Sequence, residues 1–319
     1  MTWAQTDRIE ETLTLPPNET ERNMHLIRDL PKFAARESAV AIGNFDGVHL
    51  GHIAVIEAMK VEARARKLVP TVLTFEPHPR QFFAPNNPPF RLTRLSEKLQ
   101  ALTAQGVEVV AMPRFNATLA SMAAEDFLSQ MLGQQLSAKA VVTGENFAFG
   151  QKRRGDCAML KAWGAAQGIR VITVPPVQVG EAICSSSAIR AALLEGKVGE
   201  ATQLLGRPYQ LSGRVVHGDG RGRTLGFPTA NIALAPHLLL PVHGVYAVWV
   251  SDGDTTWAGV ANLGVRPTVA VSNRARLEVH LFDTVQEIYG KKLCVTFVDK
   301  LRDEQRFENV DALKKQITL

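Results

Sequence analysis

The residues from Gly43 to His52, GNFDGVHLGH, are the part of the chain best suited to phosphate chemistry. They stand between an apolar stretch, Ser38–Ile42, and a helical pattern, which predicts a strand, a tight turn and a helix N-terminus. A helix N-terminus presents N–H groups that have no partner within the helix, and these suit a phosphate. His49 and His52 add donors where charge develops on an oxygen. The turn is therefore predicted to bind the phosphates of a nucleotide.

Three further polar segments each follow a predicted strand. They are FEPHP at residues 75–79, GENFAFGQKRRGD at 144–156 and CSSSAIR at 184–190. Taken singly, each has an ordinary explanation: a rigid loop between prolines, a solvated basic turn, and serines that only cap a helix. Because ligands bind beyond the carboxyl ends of parallel strands, four such segments at strand ends predict one shared site at one edge of a sheet.

The elements that must position these segments are five short apolar strands that alternate with helices. This alternation predicts a parallel sheet covered by helices on both faces. The predicted strands are 38–42, 70–75, 107–112, 140–143 and 169–174. The predicted helices are 53–67, 96–105, 123–135, 156–167 and 185–195.

After residue 205 the pattern changes to consecutive strands separated by loops rich in glycine and proline. Strands without crossover helices predict an antiparallel sheet or a small barrel. The predicted strands are 210–216, 245–251, 256–261, 276–282 and 292–298, followed by a helix at 309–317. The boundary between the two domains is predicted at about residues 185–205.

The second half begins with a glycine-rich cationic loop that contains Gly218, Gly220 and Gly222. Its backbone N–H groups could cradle a phosphate, although the glycines alone favour a disordered hairpin loop. The sequence Pro-Thr-Ala-Asn follows, and Thr229 and Asn231 supply oxygen ligands of the kind that Mg²⁺ prefers.

Glu278 belongs to a strand in which apolar and polar residues alternate. Leu277, Val279 and Leu281 share one face, so Glu278 and His280 share the other. The pattern alone favours a solvated strand face for Glu278, although a carboxylate on that face can act as a general base.

Composition and charge restrict the class of protein. The chain of 319 residues carries 36 basic and 31 acidic residues, a net charge of +5, and its pI is about 9.2. This balance favours anionic ligands without indicating nucleic acid. Three cysteines without metal spacing predict thiols in a reducing compartment, and no apolar run reaches the roughly 18 residues of a membrane span. We therefore expect a cytoplasmic protein that does not bind membranes and is a monomer or a weak homo-oligomer.

With these motifs in view, the chain resembles the bifunctional bacterial FAD synthetases, whose first module belongs to the HxGH nucleotidyltransferases. The first half carries GNFDGVHLGH, FEPHPRQFF, GENFAFGQKRRGD and SSSAIR, and the second half carries GFPTAN, GVYAVWV, ANLGVRPT and LEVHLFD. The resemblance implies a Rossmann-like parallel-sheet adenylyltransferase domain and a six-stranded antiparallel barrel with riboflavin kinase activity. The resemblance leaves out residues 1–22, which lack apolar periodicity and are expected to be a flexible extension. The expected ranges of the rest are the first domain at 23–185, linker helices at 186–204 and the kinase domain at 205–319.

The resemblance also implies roles for individual residues. Catalysis falls on Glu278, His49, His52 and Arg190. ATP binding falls on Gly43, Phe45, Asp46, Gly47, Ser186, Ser187, Gly218, Gly220 and Gly222. Flavin binding falls on Asn146, Arg153 and Arg266, and Mg²⁺ binding on Thr229 and Asn231. Ser187 stands where the family usually has threonine, and the hydroxyl is kept. The implied small molecules are riboflavin, FMN, FAD, ATP and Mg²⁺.

The chemistry of the two implied reactions agrees with these residues. The nucleophile in FAD formation is the phosphate of FMN, whose second pKa is about 6, so it needs no strong base at neutral pH. The nucleophile in FMN formation is a hydroxyl of riboflavin, which is protonated at neutral pH and needs a base such as Glu278.

Three alternatives remain at this stage. The chain is a riboflavin kinase with a degenerate first domain, a flavin-binding regulator without turnover, or a barrel that binds nucleic acid. The intact histidines weigh against the first and Glu278 against the second. The third lacks the interleaved aromatic residues of a single-strand binder.

Overall fold

The computed structural model describes residues 24–28, 30, 36–218, 226–265, 275–282, 288–305, 308 and 316. The extension at 1–22, the loop glycines Gly220 and Gly222, Arg266 and nearly all of the predicted helix at 309–317 lie outside the described residues. The chain divides into two compact units. The first contains Met1–Asn87 and Leu95–Val177, and the second contains Pro88–Arg94 and Gln178–Leu319.

The first unit is built on a six-stranded sheet in which all neighbouring strands are parallel, as predicted. Its strands are β1 (His25–Ile27), β2 (Ser38–Ile42), β3 (Val69–Leu73), β4 (Val109–Ala111), β5 (Ala138–Gly144) and β6 (Arg170–Val174). Their order is β1-β4-β3-β2-β5-β6. The prediction of five strands was wrong by one, because the three residues of β1 are too few to show a strand pattern.

Helices connect these strands close to the predicted positions. They are α1 (Leu50–Arg66), α2 (Pro79–Phe83), α3 (Leu95–Ala104), α4 (Ala117–Ala120), α5 (Ala124–Asp126) and α6 (Cys157–Gln167). The predicted helix at 123–135 is mostly a π-helix, Phe127–Gln135, whose wider turn buries Phe127, Leu128, Met131 and Leu132. A short 3-10 turn follows at Gln151–Arg153.

The two faces of this sheet belong to separate hydrophobic cores. Ala39 and Ala41 of β2 pack in one core with Met59 of α1. Val40 of the same strand packs in the other core with Leu132 of the π-helix. Burial on both faces explains why β2 is apolar at every position after Ser38, a pattern typical of a central parallel strand.

The second unit contains a closed antiparallel barrel of six strands, which confirms the predicted architecture. Its elements are the hairpin β7 (Gln178–Val179) and β8 (Ala182–Ile183), the helices α7 (Ser186–Leu194) and α8 (Val198–Leu205), and the barrel strands β9 (Gln210–Val216), β10 (Ala230–Ala233), β11 (Gly244–Ser251), β12 (Thr256–Val265), β13 (Ala275–Leu281) and β14 (Lys292–Arg302). Around the barrel they follow the order β10-β13-β12-β11-β14-β9. The short strand β10 was not predicted, because its four residues are too few to show an alternation of apolar and polar side chains.

The barrel interior is filled by apolar side chains such as Tyr246, Leu277, Val279 and Phe297, each at most 1% exposed. The segment Pro88–Arg94 belongs to this unit although both of its flanking residues belong to the first. The backbone N–H of its residue 91 donates to the carbonyl of residue 237 at 3.1 Å, and its carbonyl accepts from the N–H of residue 239 at 2.8 Å. Among the described residues, no helix is long and apolar enough to cross a bilayer.

Candidate functional site

The turn between β2 and α1 has an unusual backbone. Phe45, Gly47 and Val48 adopt φ values of 49°, 89° and 41°. A positive φ is natural for glycine, whereas for other residues it costs on the order of 1–3 kcal/mol and persists only where packing enforces it. Packing does so here, because Phe45 is 0% and Val48 1% exposed. The turn is held in one strained shape at the carboxyl end of the central strand.

His49 and His52 form a stacked pair at the start of α1. Their ring centroids lie 3.6 Å apart with the planes inclined by 22°. His49 is the N-cap of the helix, and its Nδ1 accepts a hydrogen bond from the backbone N–H of His52 at 3.3 Å. An accepting Nδ1 carries no proton, so the neutral ring carries its proton on Nε2. His49 is therefore fixed as a hydrogen-bond donor through Nε2.

Lys98 lies beneath this turn and was not anticipated from the sequence. It is 2% exposed, and its Nζ donates to the carbonyl of Asn44 at 3.2 Å and to Thr74 Oγ1 at 3.4 Å. A signal was present, because Lys98 occupies a position of α3 that shares its buried face with Leu99 and Leu102. A lysine within an apolar helix stripe is a polar group placed in a core, which calls for oxygen partners.

The loop after β3 carries a third histidine. His78 is the N-cap of α2 and its Nδ1 accepts from the backbone N–H of Arg80 at 3.0 Å, while Pro79 opens the helix. His78 is 8% exposed, which agrees with a ring held in a rigid loop. Phe83 in the same helix is 66% exposed and makes an edge contact with Phe115 at 5.7 Å, so it is only partly a packing residue.

The loop after β5 presents Asn146 and Arg153 at the surface. Two backbone hydrogen bonds between Phe149 and Gly155, at 3.0 and 2.9 Å, close the loop that carries Arg153. Cys157 Sγ lies 3.2 Å from the carbonyl of Glu145 and fixes the part that carries Asn146. Both predicted flavin-binding residues of this loop are thus exposed and held on an ordered backbone.

Three of the four predicted site segments are brought to one edge of the sheet. They follow β2, β3 and β5, which are adjacent and parallel in the order β3-β2-β5. Carboxyl ends of adjacent parallel strands meet at one edge, so the turn of His49, the loop of His78 and the loop of Asn146 are neighbours there. The edge contains Gly43, Asp46 and Gly47 in the strained turn as well, and Asp46 is 3% exposed.

The fourth segment forms the start of α7 and belongs by its packing to the second unit. Ser185 caps this helix by accepting from the N–H of Ala188 at 3.1 Å, which confirms the N-cap that the sequence suggested. Ser186 and Ser187 begin the first turn. Arg190 Nε donates to the carbonyl of Phe90 at 2.8 Å, and its guanidinium lies 5.5 Å from the centre of the Phe90 ring. A shared site with the sheet edge stays a prediction for these residues.

A row of polar side chains crosses the outer face of the barrel. Asn231 of β10 is the direct cross-strand partner of Glu278 of β13, which in turn is the partner of Asn262 of β12. Direct antiparallel partners point to the same face with Cβ atoms roughly 4.5–5.5 Å apart. Leu277 and Val279 are fully buried in the interior, so Glu278 points outward, as the alternation predicted.

Two close contacts lie beside this row of polar side chains. His280 Nδ1 lies 2.8 Å from the carbonyl of Pro228 and ties the strand of Glu278 to the loop that leads into β10. A Cβ at Gly218 would lie 2.1 Å from Nδ2 of Asn231, so only glycine leaves room for the Asn231 amide. The oxygens of Thr229 and Asn231 are ligands suited to Mg²⁺ that also binds substrate phosphates. No cluster of three or more histidine, cysteine or acidic residues forms a metal site in the described part of the chain.

Two family models match the chain in the order of its two units. A FAD synthetase model matches residues 32–188, and a riboflavin kinase model matches residues 205–319.

Relatives match along nearly the whole length. A protein of Escherichia coli (strain K12) named bifunctional riboflavin kinase/FMN adenylyltransferase is 44% identical over 298 residues, which cover 92% of this chain and 95% of the relative. A protein of the same name from Pseudomonas fluorescens is 40% identical over 296 residues, with coverages of 92% and 94%. A crystal structure titled macrolide-efflux protein from Streptococcus pneumoniae superposes with a TM-score of 0.84 at 33% identity, covering 92% of this chain and 96% of that one.

Proposed function

Since the chain belongs to the family of bifunctional riboflavin kinase/FMN adenylyltransferases, we propose how its own residues divide the two reactions of that family. One reaction phosphorylates riboflavin with ATP to give FMN. The other transfers AMP from ATP to FMN and gives FAD and pyrophosphate. The presence of both domains favours the bifunctional enzyme over the kinase with a degenerate first domain and over the regulator without turnover.

The first unit performs the adenylyl transfer in this proposal. A phosphate oxygen of FMN forms a bond to the α-phosphorus of ATP while the bond to the pyrophosphate oxygen breaks. Charge develops on the α-phosphate and on the leaving pyrophosphate, so donors are needed and a base is not. His49 and His52 supply these donors. The observation that supports this assignment is the bond from His52 N–H to His49 Nδ1, which commits Nε2 of His49 to donating.

The remaining residues of the adenylyl-transfer site take supporting roles. Asn146 and Arg153 bind the flavin nucleotide from the exposed loop after β5. Phe45 has a fully buried side chain, so we assign only its backbone to ATP, as for the neighbouring glycines of the turn. Ser186, Ser187 and Arg190 bind ATP phosphates from the start of α7, where serine hydroxyls, helix N–H groups and a guanidinium are concentrated.

The second unit performs the kinase reaction. The terminal ribityl hydroxyl of riboflavin attacks the γ-phosphorus of ATP, its proton passes to Glu278, and ADP leaves. Glu278 suits this role because it lies on the outer face of the barrel, directly beside Asn231. Gly218 contributes backbone to the phosphates of ATP. The assignments of Gly220, Gly222 and Arg266 rest on the sequence alone, since these residues lie outside the described part.

Mg²⁺ fits the kinase site, where Thr229 and Asn231 would hold it. The glycine at 218 supports this fit because it leaves space beside the Asn231 amide. When bound, the ion would neutralise charge on the ATP phosphates. We further propose that the enzyme is cytoplasmic, because Cys157, Cys184 and Cys294 are thiols. We expect a monomer or a weak homo-oligomer, which a solution mass measurement checks.

A time course tests the proposal as a whole. The purified chain is incubated with riboflavin, ATP and Mg²⁺, and the flavins are separated by chromatography. We expect FMN to rise first and FAD to follow with one pyrophosphate per FAD, and EDTA in excess to stop both. FMN that accumulates without FAD would contradict the adenylyl-transfer assignment, and flavin that binds without turnover would contradict both.

A further inference from the structure

Lys98 is a buried cation that neither reaction scheme uses. Its side chain is 2% exposed on the inner face of α3, where Leu99 and Leu102 are its apolar neighbours. Lysines are rarely buried to this degree, because the ammonium loses its hydration unless oxygens replace the water. Two oxygens accept from the Nζ of Lys98, and both lie just beyond the carboxyl ends of strands, at the edge proposed to carry the nucleotide site.

The first of these oxygens is the carbonyl of Asn44. It accepts from Lys98 Nζ at 3.2 Å and from Thr74 Oγ1 at 3.1 Å. Thr74 is itself fixed, because its backbone N–H donates to the carbonyl of Ala111 at 3.0 Å. A single carbonyl of the turn is thus tied to α3 and, through Thr74, to the ends of two further strands.

The bond from Lys98 to the Asn44 carbonyl matters because this carbonyl lies at the start of the strained turn. Asn44 comes immediately before Phe45, the first of the three residues with positive φ, and the strained stretch ends at the N-cap His49. A strained backbone keeps its shape only when its surroundings determine it. The Asn44 carbonyl is one point where α3 contacts this turn.

We propose that Lys98 is a positioning residue for adenylyl transfer. Together with Thr74 it fixes the Asn44 carbonyl. The fixed carbonyl holds the strained turn and the His49–His52 pair in the position that receives the phosphates of ATP. The inference rests on the proposed nucleotide site. Lys98 itself touches no substrate in it.

The substitution Lys98→Met tests this role, because methionine keeps the length and apolar stem and removes the ammonium. We expect kcat/KM for ATP in FAD formation from FMN to fall roughly 100-fold, the scale of a misplaced catalytic group, with most of the change in KM for ATP. FMN formation from riboflavin should stay at the wild-type rate. The kinase of the same chain reports only that the second unit is intact, so the folding of the first unit is checked separately by thermal unfolding.

A matched control separates positioning from loss of stability. Leu102→Ala removes a fully buried side chain from the same helix, and leucine has no group that could donate to the Asn44 carbonyl. It should lower Tm and leave KM for ATP unchanged. If Leu102→Ala raised KM as much as Lys98→Met, the effect would belong to helix packing and the inference would be wrong.

Thr74→Val keeps the test decisive if Lys98→Met fails to fold. It removes the second donor to Asn44, so kcat/KM for ATP should fall about tenfold, the size expected for one hydrogen bond. The double variant should lose less than the product of the two single effects, since both donors act on one carbonyl. Strictly multiplicative effects would contradict a shared role.

The outcomes also separate this inference from the proposed site. If His49→Ala with His52→Ala abolishes FAD formation while Lys98→Met and Thr74→Val have wild-type kinetics, only the inference on Lys98 fails. If the double histidine variant retains full FAD formation, the nucleotide site itself is misplaced.

Discussion

Each proposed reaction depends on one side chain whose role follows from its position. His49 is committed to donating from Nε2 because its Nδ1 caps α1. Glu278 stands on a partly exposed strand face, where a carboxylate can serve as a general base. In the proposed scheme, donors act where the nucleophile is already ionised, and a base acts where the nucleophile is a hydroxyl.

The dual role of His49 gives a sharp test. Asparagine is a good N-cap, so His49→Asn should keep the cap and remove the Nε2 donor. FAD formation from FMN should fall roughly 10²–10³-fold, as when an oxyanion donor is lost, with Tm unchanged. His49→Ala should show the same kinetic loss and in addition a lower stability, by about 0.5–2 kcal/mol.

The comparison is made by thermal unfolding and by the rate of pyrophosphate release. Riboflavin phosphorylation should persist in both variants and in the double variant with His52→Ala. Wild-type FAD formation in the double variant would exclude the histidines from the reaction.

Glu278→Gln tests the base of the kinase. The amide keeps the shape and removes the proton acceptor, so FMN formation should fall roughly 10²–10⁴-fold. Conversion of added FMN to FAD should be unaffected. Arg276→Gln is the control, because Arg276 is an exposed residue of the same face of β13. FMN formation by Glu278→Gln at more than a tenth of the wild-type rate would contradict its role.

Lys98 is a residue whose contacts could not be predicted from the sequence. The histidines were proposed from their types and spacing, whereas the role of Glu278 came from the family resemblance, because the strand pattern alone favours a solvated face. Lys98 had a visible signal, a lysine in an apolar helix stripe. The pattern could not indicate its partner, because Asn44 is 54 residues away in the chain.

At the scale of elements, the register between β10 and β13 places Asn231 beside Glu278 in the row of polar side chains proposed for the kinase reaction. Asn231 faces Glu278 only in this register, since a shift by one residue would turn one of them into the barrel. The bond between His280 and Pro228 and the glycine at 218 hold the entry to β10 beside that row.

Gly218→Ala should disturb the row and leave the barrel intact. The added methyl would overlap the Asn231 amide, which is the flexible end of a side chain, so the amide moves and the backbone stays. KM for ATP in FMN formation should rise about tenfold, as for one lost polar contact. Gly199→Ala is the control, because a Cβ there meets nothing within 4 Å. Equal kinetics for both variants would contradict the proposed place of Asn231.

Elements with a clear period were predictable, and short ones were not. The predicted strand at 38–42 and the one at 210–216 match β2 and β9, since each is long enough to show its pattern. β1 and β10 have three and four residues, and their existence depends on a partner strand far along the chain. The π-helix at 127–135 keeps a helical period in sequence, so only its hydrogen bonds distinguish it.

At the scale of the molecule, α7 and α8 belong by their packing to the barrel unit. Val198 and Ala201 of α8 are fully buried, the helix packs against β14, and the N–H of Val242 donates to the carbonyl of Leu193 at 2.9 Å. A cut near residue 200, which the sequence boundary suggests, falls within α8.

Two fragments test where the kinase unit begins. Residues 178–319 retain both helices, and residues 206–319 lose them. Each buried leucine contributes about 1.5–3 kcal/mol, so the shorter fragment should have the lower Tm and aggregate more readily. Circular dichroism and the rate of FMN formation compare them. Equal stability would show that the helices are dispensable for the barrel.

The order of the two domains and their fold classes followed from the sequence, because strand periodicity and crossover helices differ between the halves. The place of Pro88–Arg94 did not follow from it. This segment lies between α2 and α3 of the first unit, yet its backbone bonds go to residues 237 and 239. Backbone pairing between residues so far apart in the chain leaves no pattern in the sequence of the segment itself.

The segment Pro88–Arg94 restricts how the gene of this protein can be recombined with those of its relatives. The chain passes between the units after residues 87, 94 and 177, so no single crossover in the gene separates one intact unit from the other. A hybrid that joins the first unit of one relative to the barrel of another would bring a foreign loop at 88–94 to that barrel. Residues 88–94 and 237–239 should therefore be exchanged together when chimeric enzymes are built.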